Sequence, residues 1–117
     1  MNWSRFKAEA KSLRPYGYWR SSASWRVRWA LSLKGIPFEN VPVNLLKGEN
    51  KSPEHLKRSA LGAVPVLEIN KEFFLSESLP IIEWIEEVYN LKGPSLLPGI
   101  PLERAYIRSL CEIISSD

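Results

Sequence analysis

Cysteine and histidine are almost missing from this 117-residue chain, which has one of each, Cys111 and His55. A single cysteine excludes an internal disulfide and any Cys-x-x-Cys redox or zinc pair. A single histidine argues against a histidine-rich metal centre or a Ser-His-Asp triad, so no metal is expected. No apolar run reaches membrane-spanning length, and the opening Met1-Asn2-Trp3-Ser4-Arg5-Phe6-Lys7 lacks the apolar centre of a signal peptide. A cytoplasmic protein with no membrane partner is the default expectation. Strong charge is lacking too: 16 basic residues against 13 acidic ones leave a net charge of +3. The basic residues are scattered through helical segments rather than stacked, which speaks against nucleic acid as a partner. The mild excess suits a small acidic substrate.

What is present is ordinary globular composition, with 44% hydrophobic and 25% charged residues. One domain is expected, burying roughly two-thirds of its unfolded surface. Residues 1–12 read as an N-terminal extension outside the fold. Leu13 to Trp19 reads as a first strand, and Val27, Ala30, Leu31 and Lys34 are spaced for a helix from about Ser24, ended by Gly35. Ile36-Pro37 starts a second strand that runs through Phe38 to Val43, and its prolines, Pro37 and Pro42, point to a sheet edge. A polar loop from Leu45 to Ser52 precedes a short helix opened by Pro53. Val66–Ile69 and Glu72–Leu75 form a hairpin through Asn70-Lys71. Ser78 to Tyr89 is amphipathic, with Ile81, Ile82, Ile85 and Val88 on one face. The Pro- and Gly-rich stretch 90–101 reads as a linker, and 102–117 as the start of a further helix. The order βαβα then ββα is satisfied by a small mixed sheet with helices on its faces.

The most informative stretch is Ser21-Ser22-Ala23-Ser24-Trp25-Arg26-Val27-Arg28, which follows the aromatic run Tyr16-Gly17-Tyr18-Trp19. Its hydroxyls stand at the mouth of a helix, where unpaired N–H groups and the positive end of the dipole are found. Such serines either cap the helix or hold an anion such as a thiolate. Ala63-Val64-Pro65-Val66, followed by Glu77-Ser78 opening another helix, adds a second signal, and the pair suggests a site for a small thiol peptide. Plain readings stand beside these. Val64-Pro65 can be an ordinary trans turn, and Glu77-Ser78 a simple cap. Trp25 and Trp29 suit packing, His55 a position exposed on a short surface helix, and Cys111 a buried inert thiol.

Tyr18 to Arg28, Ala30 to Ile36, Val41 to Leu45, Ala63 to Leu67 and Glu77 to Glu83 together resemble the zeta-class glutathione transferases, the class that includes maleylacetoacetate isomerase. Leu96-Leu97-Pro98 and Arg104-Ala105 resemble the linker and first helix of that family's second domain. The resemblance implies an α/β, thioredoxin-like βαβ-α-ββα domain over residues 13–89 that binds glutathione as cofactor. A linker over 90–101 and an incomplete, truncated all-α domain would follow. It implies Ser21 and Ser22 as the catalytic pair, donating to the glutathione sulfur. Ala23 stands where the family usually has a cysteine, and with Ser24, Trp25 and Arg26 it completes the cofactor-binding loop. Val64-Pro65 would form a cis-proline turn that pairs with the glutathione backbone. Glu77 would face the γ-glutamyl ammonium, Ser78 its carboxylate, and Asn50 the glycine end.

A free thiol is only a few per cent ionised at neutral pH, and lowering its pKa by about two units takes roughly 2.7 kcal/mol. A charge-assisted hydrogen bond supplies roughly 1.5–3 kcal/mol and a helix N-terminus roughly 0.3–1, so no histidine base is needed. The implied activity is glutathione-dependent cis–trans isomerisation of maleylacetoacetate to fumarylacetoacetate, in aromatic amino-acid catabolism, or transfer of glutathione to a small electrophilic substrate. A homodimer is expected of the full-length family member. A glutathione-binding or protein-interaction module without turnover is the alternative, because most of the second domain is absent. Leu102, Tyr106, Ile107, Leu110 and Ile113 are expected to be exposed and to promote self-association.

Overall fold

The computed structural model describes residue 3 and residues 9–97 and 99–115. Most of the N-terminal extension read over residues 1–12 therefore lies outside the described residues. Four strands form one sheet in the order β2-β1-β3-β4. They are β1 (Leu13–Gly17), β2 (Val41–Pro42), β3 (Val66–Ile69) and β4 (Phe73–Ser76). β2 runs parallel to β1, while β3 is antiparallel to both β1 and β4. A parallel neighbour requires a crossover, supplied by helix α1 (Ser22–Leu33). The β3–β4 hairpin closes through Asn70 and Lys71, both left-handed at φ 55° and 60°, as a two-residue turn matched to strand twist requires.

The second strand is shorter than its sequence suggests. The ladder is confined to Val41–Pro42, and neither Pro37 nor Pro42 has an N–H to add to it. The flanking chain still follows β1, with Glu39 N–H donating to Leu13 O and Val43 N–H to Gly17 O. As expected, β2 lies at the edge.

Side chains alternate across the strands, giving the sheet two dressed faces. On one, Leu13, Leu67 and Ile69 pack with Val27, Ala30 and Leu31 of α1 and with Ile81 and Ile85 of α3 (Ser78–Val88). On the other, Tyr16, Val43 and Val66 form a smaller cluster. There the Arg58 guanidinium, at the end of α2 (Pro53–Arg58), lies 4.1 Å from the Tyr16 ring centre. Gly17 is where β1 must pass close to α1, since a Cβ there would come within 2.8 Å of the Ser24 side chain. α4 (Pro101–Ser115) closes the described chain, tied to α3 by Arg108 Nε–Glu83 Oε1 at 2.6 Å. Among the described residues no helix is long and apolar enough to cross a membrane.

Several sequence expectations change in three dimensions. Residues 9–12 do not lie outside the fold: Ala10 N–H donates to the Tyr89 hydroxyl, and the Lys11 and Ser12 N–H groups donate to Asn70 Oδ1. The polar loop holds a 3-10 turn at Glu49–Lys51. His55 is fully buried rather than exposed, and Trp25 and Trp29 are more than half exposed rather than packed inside. Their rings lie 4.7 Å apart, each covering the other. Cys111 is only partly covered, in a small cavity of about 50 Å³ that also touches Leu79, Ile82 and Ile107. Leu102, Tyr106 and Leu110 are exposed as expected. Ile107 is half-buried instead, and the side chain of Ile113 lies outside the described residues.

Candidate functional site

Sheet register gathers the site. Tyr16 pairs with Val66, and Val66 pairs with Ser76. Beyond those three partners, the chain leaves β1 toward the mouth of α1, enters β3 from Val64-Pro65, and leaves β4 into Glu77-Ser78. Segments far apart in sequence therefore meet at one end of the sheet. The Val64–Pro65 peptide bond is cis, the form that the resemblance implies.

Ser21 caps α1 with an extended backbone, φ −76° and ψ 119°. Its oxygen accepts the Ser24 N–H at 3.1 Å. A hydroxyl also carries a proton to donate, so capping leaves the Ser21 O–H available to an acceptor outside the helix. Ser22 is exposed at the first helical position and Ala23 is half-buried. Their N–H groups, in the first turn, have no intrahelical partner. The mouth of α1 thus presents amide and hydroxyl donors together, backed by the positive end of the helix dipole.

The mouth of α3 is built differently. Ser78 is buried, and its Oγ accepts from Arg26 Nη1 at 3.3 Å, which links α1 to α3. Arg26 therefore places a cation beside the α3 N-terminus. Glu77 is exposed, makes no side-chain cap, and has φ 74° and ψ 130°. A non-glycine residue in that region costs on the order of 1–3 kcal/mol, and such residues gather at functional sites. The result is a carboxylate at the surface next to buried hydroxyl and amide donors. That pairing can receive a zwitterion, ammonium on one side and carboxylate on the other.

Other sequence-designated residues are turned wholly or partly to other tasks. Ser24 is buried, and its hydroxyl oxygen accepts the Tyr18 N–H at 3.2 Å, locking the turn that ends β1. The Trp25 ring turns outward against Trp29. Asn50 Nδ2 donates to Gly62 O at 3.0 Å, so its amide nitrogen is engaged inside the protein. Sequence reasoning missed two features. One is a cavity of about 360 Å³ between Tyr18-Trp19-Arg20 and the loop from Pro42 to Glu49. The other is buried His55. Neither had a local signal: the cavity depends on the Pro42-to-Glu49 loop lying beside Tyr18 to Arg20, and a lone histidine two residues after a helix-opening proline gives no sign of burial.

Comparison with known proteins defines the class. The family model described as glutathione S-transferase, N-terminal domain, matches residues 11–87, and the chain belongs to that family. Its relatives include maleylacetoacetate isomerases and a zeta-class glutathione S-transferase. It is 47% identical over 102 residues to a maleylacetoacetate isomerase of Rhizobium meliloti (strain 1021), covering 87% of this chain and 46% of that protein. It is 52% identical over 104 residues to a zeta-class glutathione S-transferase of Euphorbia esula, covering 89% and 45%. Among solved structures, a Methylobacterium extorquens AM1 maleylacetoacetate isomerase with bound malonate and GSH superposes with a TM-score of 0.83 at 41% identity, covering 89% of this chain and 48% of that one. The chain spans about half the length of the relatives it matches.

Proposed function

We propose that this chain forms the glutathione-binding half of a zeta-type enzyme and activates the glutathione thiol by donation from Ser21. The whole protein would then isomerise maleylacetoacetate to fumarylacetoacetate or transfer glutathione to small acidic electrophiles. It would act in the cytoplasm as a homodimer. The observation that carries the reading is the Ser21 hydroxyl, which satisfies the helix through its oxygen and keeps its proton for a ligand.

The donor set fits a thiol tripeptide. Ser21 O–H and the first-turn amides of Ser22 and Ala23 would hold the sulfur. The N–H and C=O of Val64 take part in none of the loop and turn hydrogen bonds among the described residues, so they would be free to pair with a peptide backbone. Glu77 would take the γ-glutamyl ammonium, while Ser78 with the α3 N-terminus would take its carboxylate, assisted by the charge of Arg26. Asn50 would touch the glycine end through its oxygen, its nitrogen being committed to Gly62.

Bound glutathione would supply a thiolate that adds reversibly to an activated double bond. The chain's own contribution is to hold that sulfur ionised at neutral pH and to fix its direction. Domains would be divided as the sequence suggests, with 13–89 holding the cofactor and 102–117 opening a helical domain.

Titrating glutathione into the 117-residue chain near neutrality tests the reading. The ultraviolet absorbance of ionised sulfur should rise in proportion to bound ligand. Binding without that absorbance would remove the proposed activation, and absence of binding would remove the site.

A further inference from the structure

The sole histidine of this chain sits in the interior with no access to substrate. Its ring nevertheless makes one pointed contact: His55 Nε2 lies 2.8 Å from Ala63 O. A carbonyl oxygen only accepts, so Nε2 carries the proton. The opposite nitrogen, Nδ1, is buried with no hydrogen-bond partner among the described residues.

This contact belongs to a brace. Asn50 Nδ2 donates to Gly62 O at 3.0 Å, and the Ala63 N–H donates to Ser59 Oγ at 3.3 Å. Three side chains thus tie down Gly62 and Ala63, the two residues leading into Val64-Pro65. Gly62 is itself left-handed at φ 65°, and a Cβ there would come within 2.9 Å of Asn50 O. α2 is anchored in turn by Ser52, whose hydroxyl accepts the His55 N–H. A helix-capping duty would need neither a buried imidazole nor a donor aimed eight residues ahead.

We infer that His55 is a positioning residue. By donating to the Ala63 carbonyl from α2, it fixes the peptide edge that Val64 offers to the glutathione backbone. The inference rests on the proposed glutathione site. It gives the short helix α2 a task in binding, although none of its side chains need touch the ligand. The tautomer follows from geometry, and so does the choice of variants. Glutamine places an amide nitrogen where Nε2 stands, asparagine places one nearer Nδ1, and phenylalanine fills the volume with no donor. Phenylalanine also removes the unpartnered Nδ1, which offsets part of the stability lost with the hydrogen bond.

The test measures glutathione affinity of the 117-residue chain by titration calorimetry, with amide hydrogen exchange read in the absence of ligand at Ala63, whose N–H is bonded to Ser59 Oγ. His55→Phe and His55→Asn should weaken glutathione binding about tenfold, the equivalent of one well-placed hydrogen bond, and speed Ala63 exchange. His55→Gln should restore both toward wild type. Equal affinity in all four folded proteins would overturn the inference while leaving the glutathione site intact. A wild-type chain that binds no glutathione overturns the site, and the binding role of His55 with it, even if the exchange pattern holds. Should the Phe and Asn variants fail to fold, ring nitrogen chemical shifts of wild-type His55 decide. A proton on Nε2, with the Ala63 carbonyl resonance moving as glutathione is added, supports the inference; a proton on Nδ1 alone overturns it.

Discussion

The Ser21 oxygen accepts the Ser24 N–H, and the Ser24 oxygen accepts the Tyr18 N–H, so two serines three positions apart divide the work of one turn. Ser21 is half-buried and, as an acceptor in the cap, keeps its proton to donate. Ser24 is enclosed and locks β1 to α1. Ser21→Ala should therefore cost about 1 kcal/mol of stability as a lost cap and also abolish the thiolate absorbance of bound glutathione. Ser21→Thr, which keeps the cap and the hydroxyl, should retain both. Ser24→Ala strands a buried N–H and should cost about 1–3 kcal/mol, with far less effect on glutathione affinity than Ser21→Ala. Denaturant titration and calorimetry on the three variants check this. Equal loss of affinity in both alanine variants would refute the division.

Glu77 separates function from stability more sharply. Its positive φ at the mouth of α3 is a conformation that glycine adopts without strain. Glu77→Gly is expected to hold or raise the melting temperature, while glutathione affinity drops at least about tenfold through loss of a charge-assisted contact. A variant both unstable and fully competent to bind would show that Glu77 serves the fold alone.

How far these features could be read in advance depends on how local their causes are. β3 and the Asn70-Lys71 turn follow from short-range chemistry, and the structure places both where the residues imply. The serine-rich helix mouth is local too, although its start moves back to Ser22 because Ser21 is the residue that caps. The burial of His55 is not local. It depends on Ala63 returning to α2 through a turn at Gly62, and nothing in the Pro53-Glu54-His55 run encodes that return. Trp25 and Trp29 mislead for the converse reason. Their spacing fits a buried face, but the buried side of α1 is taken by Ser24, Val27, Ala30 and Leu31. The docking of residues 9–12 depends on Asn70 and Tyr89, partners more than 50 residues away.

α4 carries its own expectation. Leu102, Tyr106 and Leu110 are spaced by four residues, so they form one stripe, with exposures of 76%, 65% and 45%. A contiguous apolar stripe on a small protein favours association. The 117-residue chain should self-associate as its concentration rises, and replacing Leu102 and Tyr106 with lysine should return it to monomer. Sedimentation equilibrium on both proteins decides. A wild-type chain that stays monomeric at high concentration would show that the stripe is too small to drive contact.

The acid limit of stability should be set in part by Glu86. Burial alone would push its carboxyl up, but the Leu96 N–H at 2.7 Å and the Lys34 ammonium at 2.7 Å outweigh that and hold it below the ordinary value of 4.5. Lys34 is wholly enclosed, and Glu86 is its ionic partner, joining the end of α1 to α3 and the segment beyond it. A carboxyl depressed in the folded state binds fewer protons there than in the unfolded chain. Its stabilisation is therefore complete above pH 4.5 and drains away as pH falls through the lower native value. Glu86→Gln keeps an acceptor for Leu96 but leaves the buried ammonium without its counter-charge, and should cost about 3 kcal/mol at neutral pH. The variant should also lose the part of the acid dependence that Glu86 contributes, so its stability falls less steeply below pH 4.5. Denaturant midpoints measured for both proteins from neutrality into the acid range give the answer. If the two curves run parallel throughout, with a constant offset, the Lys34–Glu86 pair does not govern the acid transition.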